Sequence, residues 1–336
     1  MKIKENISLK PFTVFQIGGP ARFFLRIKTR DELKEGIEWA VSKRLPFYIL
    51  GLGSNLLVSD SGFDGLVLRP EFSKISIDGN SIITEAGAKM AEVVSFALKN
   101  GLVGFEWAVG VPGTVGGSIR GNAGCFGSEM KNHVQSVLAF NANKLDFELV
   151  SNESCNFGYR DSMFKKRPDL IICSAYLKLK SGNILEARRH LAEFLKVRGQ
   201  GGAKVWREFF SEGGNPSSQE VGAKTAGSVF KNVLWARKDV DMERLFSRFP
   251  KWRAFENNMG IPAGYLIDEA GLKGTKIGGA MVSNKHANFI INNGSASAEE
   301  IVTLISLIKE RIHTKFGIQL EEEIQYIGFK NNLPAY

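Results

Sequence analysis

The run GVPGTVGGSIRGNAGCFG, Gly110 to Gly127, carries seven glycines in eighteen residues, where average usage of about 7% supplies one or two. Neither a helix nor a central strand tolerates that density, because each glycine costs backbone entropy and packs no side chain. What glycine permits is positive φ and close approach of backbone N–H groups to something bulky and polar, such as a phosphate or diphosphate in a nest of amides. The alternative is a set of tight turns between short strands. The choice rests on what surrounds the run.

Upstream, GLGSNLLVSD (Gly51 to Asp60) follows a short apolar strand expected at Pro46 to Leu50, the place for a phosphate-binding turn. G-x-G-x-N alone is weak evidence, and the G-x-G-x-x-G dinucleotide fingerprint is not met. Two separate glycine-rich turns, each opened by its own strand and helix, suit a flavin dinucleotide between two small α+β subdomains. A doubly wound fold grips its dinucleotide with a single turn.

Periodicity supplies the rest of the frame. Phe15 to Ile27 reads as a turn followed by a strand. Asp31 to Lys43 reads as a helix with Leu33, Ile37, Ala40 and Val41 on one face and Thr29 as N-cap. SIITEAG (Ser81 to Gly87) is an expected strand, and Met90 to Lys99 an expected helix stopped by Asn100-Gly101. VQSVLAFNA and DLIICSAYLKLK read as strands, and Ile184 to Val197 as a helix. Arg198 to Ala226 is polar and glycine-rich, with an aromatic island at Trp206, Phe209 and Phe210. A loop of that length is usually functional or disordered, and it marks a domain boundary. A third unit runs from Gly227 to about Ile312 and holds the helix EEIVTLISLIKERI. The tail GIQLEEEIQYIG reads as a strand returning to an earlier domain.

Bulk composition narrows the function classes. The chain has 336 residues, 43% of them hydrophobic, and a net charge of +9. That charge suits an anionic partner: a diphosphate cofactor and a nucleotide substrate, or nucleic acid. The basic residues are scattered, with short runs such as Lys165-Lys166-Arg167, the pattern of a solvated surface. No nucleic-acid partner is expected. Three cysteines, Cys125, Cys155 and Cys173, form no disulfide framework and no zinc motif, so no metal is expected. The opening MKIKENISLK lacks the apolar core of a signal peptide, and no apolar run is long enough to span a membrane. A cytoplasmic setting is the expectation.

TVFQIGGPA, LGLGSNLLVSDSGFDGLVL, GVPGTVGGSIRGNAGCFG, NFGYRDSMFKK, AGSVFKN, AGYLIDEAGLKGTKIGGA and LEEEIQYIG occur in that order. Together they resemble the UDP-N-acetylenolpyruvoylglucosamine reductases, flavoenzymes that make UDP-N-acetylmuramate for peptidoglycan. The resemblance covers nearly the whole chain apart from the Arg198 to Ala226 loop and the last few residues. It implies an α+β protein: an FAD-binding fold of the vanillyl-alcohol-oxidase (PCMH) type in two subdomains, plus a C-terminal α+β substrate-binding domain. The implied bounds are 1–76 with a returning tail 313–336, 77–197, a loop or lid 198–226, and 227–312. The rival within the same fold is another FAD-dependent sugar or alcohol oxidoreductase. A rival of a different class is a basic nucleotide- or RNA-binding protein without catalysis.

The resemblance also implies non-covalent FAD, NADPH as reductant, a UDP-sugar substrate and a monomeric enzyme. The FAD diphosphate would lie on backbone amides of Gly51, Leu52, Gly53, Ser54 and Asn55, and of Gly113, Thr114, Gly116, Gly117 and Ser118. Asn122, Gly124 and Gly127 would follow the ribityl chain and ring. Cys125 would sit beside the flavin as a small packing residue. Hydride from the reduced flavin would reach the enolpyruvyl methylene carbon, and charge would build as an enolate. Arg160 would stabilise that charge, Ser228 would donate the proton, and Glu323 would either polarise the enolate or orient Arg160. Glu321 and Glu322 are neighbours that a one-residue misalignment would implicate, and strand alternation argues against Glu322 if Glu323 faces the site. Tyr159, Asn232, Tyr265, Lys273 and His286 would face the UDP-sugar, with Lys273 pairing the diphosphate. His286 is equally readable as a structural histidine.

Two features depart from the family pattern. No tyrosine lies between Tyr176 and Tyr265, so a tyrosine-bearing closing loop is absent, and Trp206, Phe209 and Phe210 are expected to form a substitute lid or to pack elsewhere. Val233 stands where a proline commonly follows the asparagine.

Overall fold

Pro20–Ile27 and Phe63–Pro70 run side by side in parallel and form the centre of the first lobe. Phe63–Pro70 is buried at Phe63, Gly65, Leu66, Val67 and Leu68, the near-continuous apolar run of a strand covered on both faces. Lys4–Ser8 adds antiparallel on one edge and Phe47–Ile49 parallel on the other. The helix Arg30–Ser42 lies across this sheet. It starts where the Thr29 hydroxyl accepts the Glu32 N–H at 3.1 Å, and it buries Leu33, Gly36, Ile37 and Ala40. A Cβ at Gly36 would fall 2.8 Å from Leu68 and 2.9 Å from Leu25, so glycine lets helix and sheet approach. Val41, expected on the inner face, is 51% exposed, because Gly36 takes the contact with the sheet.

The computed structural model describes residues 1–198 and 224–329. The expected lid residues Trp206, Phe209 and Phe210 lie outside the described residues.

The second lobe is an antiparallel five-stranded sheet in the order Asp146–Ser151, Val134–Asn141, Leu170–Lys178, Ser81–Glu85, Ile75–Asp78. The helix Met90–Lys99 covers it with Met90, Val93, Val94 and Ala97. One hydrophobic core runs through both lobes, joining Ile27, Leu33 and Leu68 to Ile82, Val93, Ile119, Ala139 and Cys173.

The glycine-rich run departs from the expectation that it holds no helix: Val115–Arg120 is helical. Two devices offset the glycine penalty. The Thr114 hydroxyl caps the helix by accepting the Gly117 N–H at 3.3 Å, and Gly116 lies so close to Ala86 that a Cβ would sit 3.0 Å from the alanine methyl. Beyond it, Gly124–Cys125 and Ser128–Glu129 form a small hairpin. Its two turn residues, Phe126 and Gly127, have φ of +52° and +78°, the geometry of the turns that match strand twist.

The C-terminal unit has its own core, built on Phe230, Trp252, Leu266, Ile301, Ile305 and Ile308, with Phe15, Ile17 and Leu57 from the first lobe inserted into it. Burying each such side chain is worth about 1.5–3 kcal/mol. Its long helix, Ala298–Phe316, is bounded by a Ser297/Glu300 capping box and by Gly317 at φ +74°. Asp60 of the first lobe accepts the Ala298 and Glu299 N–H groups at that helix start, at 2.8 and 3.3 Å. The tail, expected as one strand, divides in two. Glu321 to Glu323 lies extended against Val229 to Lys231 through Lys231 N–H···O Glu321 (2.8 Å) and Glu323 N–H···O Val229 (2.7 Å). Gln325–Ile327 then pairs in parallel with Leu56–Val58. Among the described residues no helix is long and apolar enough to cross a membrane.

Candidate active site

The two glycine-rich turns meet. Ser54 donates its hydroxyl to the Pro112 carbonyl at 3.1 Å, and a Cβ on Gly51 would lie 3.0 Å from the Thr114 hydroxyl. Their backbone amides fall into two sets. Those of Val115, Gly116, Gly117 and Ser118 are already taken, by Ala88 O, Ala86 O, the Thr114 hydroxyl and Thr114 O. Those of Gly51, Leu52, Gly53, Ser54, Asn55, Gly113 and Thr114 have no partner among the described residues. Backbone N–H groups rarely stay unpaired. The amides left open to an anion are therefore those of the first turn and the lead into the helix, whereas those of Gly116, Gly117 and Ser118 are already bonded within the protein.

Beside this nest a cavity of about 520 Å³ opens between the lobes, within the usual range for a ligand pocket. Phe47, Tyr48, Ile171 and Ile172 give it apolar walls, Gly51, Thr114 and Gly117 a backbone face, and Arg120 and Lys165 two cations. Aromatic and aliphatic walls with an amide nest and two cations fit a dinucleotide with a planar ring and a diphosphate. Gly117 is where the chain leaves room, since a Cβ there would meet only the Thr114 hydroxyl, at 3.6 Å.

Several expected cofactor residues also have structural roles. Asn122 is fully buried, its amide nitrogen donating to Glu129 Oε2 and Gly158 O, both at 2.8 Å, and its oxygen accepting the Lys131 N–H. A Cβ on Gly124 would fall 2.5 Å from Glu129 Cβ across the hairpin, and one on Gly53 (φ +63°) would fall 2.1 Å from Phe12 O. Both glycines are required by packing. Gly127, at φ +78°, has open space around it and completes the hairpin turn. Cys125 donates its thiol to Trp107 O at 3.0 Å.

Arg160 stands where several of these elements converge. Its Nε pairs with Glu323 Oε1 at 2.9 Å, its Nη2 donates to Gly124 O at 2.8 Å, and its guanidinium lies 5.3 Å from the Tyr159 ring. It occupies the third position of a turn, Gly158 to Asp161, closed by two backbone hydrogen bonds. Its φ is +54°, at a position that such turns usually give to glycine or asparagine. For a residue with a Cβ that conformation costs about 1–2 kcal/mol, and strain of this kind clusters at functional sites.

Glu323 reaches Arg160 because the tail is held on both sides. Its N–H goes to Val229 O, and its carbonyl accepts Asn55 Nδ2 (3.0 Å) and Gln325 Nε2 (3.2 Å). Ser228, one residue before Val229, bridges to Phe289, so its short segment lies between the His286 loop and the glutamate tail. The neighbouring acids are engaged elsewhere: Glu321 with Lys231 and Arg237, each at 3.5 Å, and Glu322 with Lys309 at 2.8 Å. Burial pushes the Glu323 carboxyl above the ordinary carboxylate range, opposed by Arg160 and Lys165.

The expected substrate residues separate into two groups. Tyr159 and Asn232 join the Arg160 cluster, the Asn232 N–H donating to the Tyr159 hydroxyl at 3.3 Å. Burial raises the Tyr159 pKa, so the phenol stays neutral. Tyr265, Lys273 and His286 gather around the helix Ala263–Glu269, with no hydrogen bond or ion pair to Arg160, Ser228 or Glu323 among the described residues. Lys273 pairs with Asp268 at 2.6 Å, and His286 accepts the Asn288 N–H at its Nδ1. Val233 pairs with Ile261 in a two-stranded ladder.

The basic run Lys165-Lys166-Arg167 has the sequence pattern of a solvated surface, and the fold departs from it at Lys165. Lys166 and Arg167 are 66% and 50% exposed, but Lys165 lines the cavity and donates to Arg160 O at 2.6 Å. Burial, with Arg120 and Lys231 nearby, brings its pKa down to about 8. The four-residue helix Met163–Lys166 turns it inward while Ser162 hooks the loop to Arg120 O at 2.7 Å. No local sequence signal separates it from Lys166.

Residues 219–327 match the family described as UDP-N-acetylenolpyruvoylglucosamine reductase, C-terminal domain, and residues 21–143 match an FAD binding domain. Two reductases of that name are each 36% identical to this chain and cover 98% of it: that of Caldanaerobacter subterraneus, over 95% of its own length, and that of Prochlorococcus marinus, over 99%. The chain belongs to the UDP-N-acetylenolpyruvoylglucosamine reductase family. The crystal structure of the reductase from Thermus caldophilus superimposes with a TM-score of 0.71 at 30% identity, covering 97% of this chain and 99% of its own. This reductase family member is a flavin-dependent oxidoreductase, with an α+β FAD-binding fold followed by a C-terminal α+β domain.

Proposed function

We propose that this chain reduces UDP-N-acetylenolpyruvoylglucosamine to UDP-N-acetylmuramate with NADPH, supplying a peptidoglycan precursor. The observation that carries the reading is the guanidinium of Arg160, fixed between Glu323 and Gly124 O at 2.9 and 2.8 Å beside the Ser228 segment. FAD, when bound, supplies the two-electron chemistry between the nicotinamide and the substrate double bond. The amides of Gly51 to Asn55, Gly113 and Thr114 would hold its diphosphate, and Arg120 and Lys165 would balance its charge.

The substrate is an enol ether conjugated to a carboxylate, so charge develops on that carboxylate as the methylene carbon is reduced. Arg160 has no partner at Nη1 among the described residues, which leaves that group to face the carboxylate. A donor held in place before the reaction stabilises developing charge without reorganising. Glu323 supports the reading in which it orients Arg160, since it pairs with Nε and leaves Nη1 free. The Ser228 hydroxyl makes no hydrogen bond to a described residue, so its proton is available for the α-carbon.

The test is kinetic. NADPH should bleach the flavin of the yellow protein, and the enolpyruvyl substrate should restore its colour. Ser228→Ala should leave bleaching intact and slow reoxidation at least about a hundredfold, the scale of a lost positioned acid. Equal slowing of both half-reactions would remove Ser228 from this role, and a bleached flavin indifferent to the substrate would overturn the function itself.

A further inference from the structure

We propose that Lys165 is a positioning residue for the reaction: its ammonium clamps the carbonyl of Arg160 and thereby holds the guanidinium in its productive direction. The inference rests on the assignment of Arg160 to the substrate carboxylate.

Besides its two backbone hydrogen bonds, the Asn232 N–H on the Tyr159 hydroxyl and Lys166 on Asp161, the turn Gly158 to Asp161 is held by three side-chain bonds to backbone carbonyls. Asn122 Nδ2 binds Gly158 O at one end (2.8 Å), and Ser162 Oγ binds Arg120 O at the other (2.7 Å). Neither acts on Arg160 itself. The third is Lys165 Nζ, donating to Arg160 O at 2.6 Å. At φ +54° the Arg160 backbone is strained, and the ammonium on its carbonyl adds to the turn's own Asp161 N–H···O Gly158 bond (3.2 Å) in opposing a relaxation that would swing the side chain away from Glu323. A charged donor is the stronger kind of hydrogen bond, and both residues are partly withdrawn from water. Among the described residues Lys165 Nζ has no carboxylate within ion-pair distance, and the backbone carbonyl of Arg160 is its one acceptor. Lys165 is half-buried, repelled by Arg120 and Lys231 and drawn by the Asp161 and Glu323 carboxylates from beyond ion-pair distance, so its direct bond is the one to the Arg160 carbonyl.

The experiment uses the flavin-loaded protein with Lys165→Met and Lys165→Arg. K165M should slow reoxidation by substrate about tenfold, the scale of one charge-assisted hydrogen bond, and K165R should restore most of that loss. In an Arg160→Ala background K165M should change reoxidation by less than about twofold, since coupled residues are not additive. A readout independent of turnover is solvent exchange of the Arg160 Nε–H by ¹⁵N NMR, which should quicken about tenfold or more in K165M as the pair with Glu323 loosens. Native-like reoxidation and exchange in K165M would overturn the proposal, as would an equal loss in the R160A background. Should K165M fail to hold flavin, Lys165→Gln replaces it. K165Q slower than K165R in reoxidation supports the clamp, and equal rates overturn it. If R160A itself reoxidises at the native rate the functional reading fails, while the exchange measurement still decides the clamp.

Discussion

Replacing Gly117 by alanine separates what the fold needs from what the cofactor needs. Gly117 is exposed in the helix Val115–Arg120, and its Cβ would meet only the Thr114 hydroxyl at an ordinary 3.6 Å. Alanine there removes backbone freedom from the unfolded chain and adds no clash, so the flavin-free protein should gain about 0.5–1 kcal/mol. The same methyl would project from the wall of the cavity of about 520 Å³. FAD affinity should fall at least about tenfold, or about 1.4 kcal/mol. Gly116→Ala is the control. Its Cβ would stand 3.0 Å from the Ala86 methyl and 3.3 Å from the Ala86 carbonyl, so that variant should lose about 1–3 kcal/mol by overpacking. Urea unfolding of both flavin-free variants, with flavin-fluorescence titration of each, gives the numbers. Native FAD affinity in G117A would refute the placement of the cofactor against this helix. A destabilised flavin-free G117A would refute the claim that the protein itself leaves the space open.

Asn122→Ala should destabilise the flavin-free protein by about 3 kcal/mol: three buried hydrogen bonds are lost and alanine must take a φ of +42°. A loss under about 1 kcal/mol in urea unfolding would show that the Gly158 turn does not depend on it. Glu323→Gln tests the buried carboxyl. Because burial raises its folded-state pKa above 4.5, the native protein holds that proton more tightly when folded. Its contribution to stability is present at low pH and is lost as pH rises through the folded-state value. Flavin-free E323Q should therefore gain on the native protein between about pH 4.5 and neutrality; a gap that does not change with pH would sink the argument.

Where the signal was local, the sequence was readable. The helix Ala298–Phe316 announces itself by Ser297, Glu300 and Gly317, and the helix Arg30–Ser42 by Thr29 and its apolar spacing. Val41 was misplaced because glycine, with no side chain, is invisible to a hydrophobic pattern, yet Gly36 is what the sheet accepts. The run from Gly110 to Gly127 was misread at Val115–Arg120 for a related reason. Propensity argues against helix there, and the Thr114 cap and contact with Ala86 override it. The tail was read as one strand because alternation says nothing about a change of partner between Glu323 and Gln325.

The sequence by itself determined the order of turns and helices, the presence of two glycine-rich loops suited to a dinucleotide, and the motifs that join this chain to its family. These are carried by neighbours in the chain. Only the tertiary structure decided which glycine amides stay open and which glycines avoid a clash with Phe12 or Glu129. It also decided that Lys165 turns inward while Lys166 stays in water, and that Arg160 is met by Glu323 rather than Glu321 or Glu322. Each of those outcomes depends on atoms brought together from distant parts of the chain, and on burial that sequence spacing does not encode.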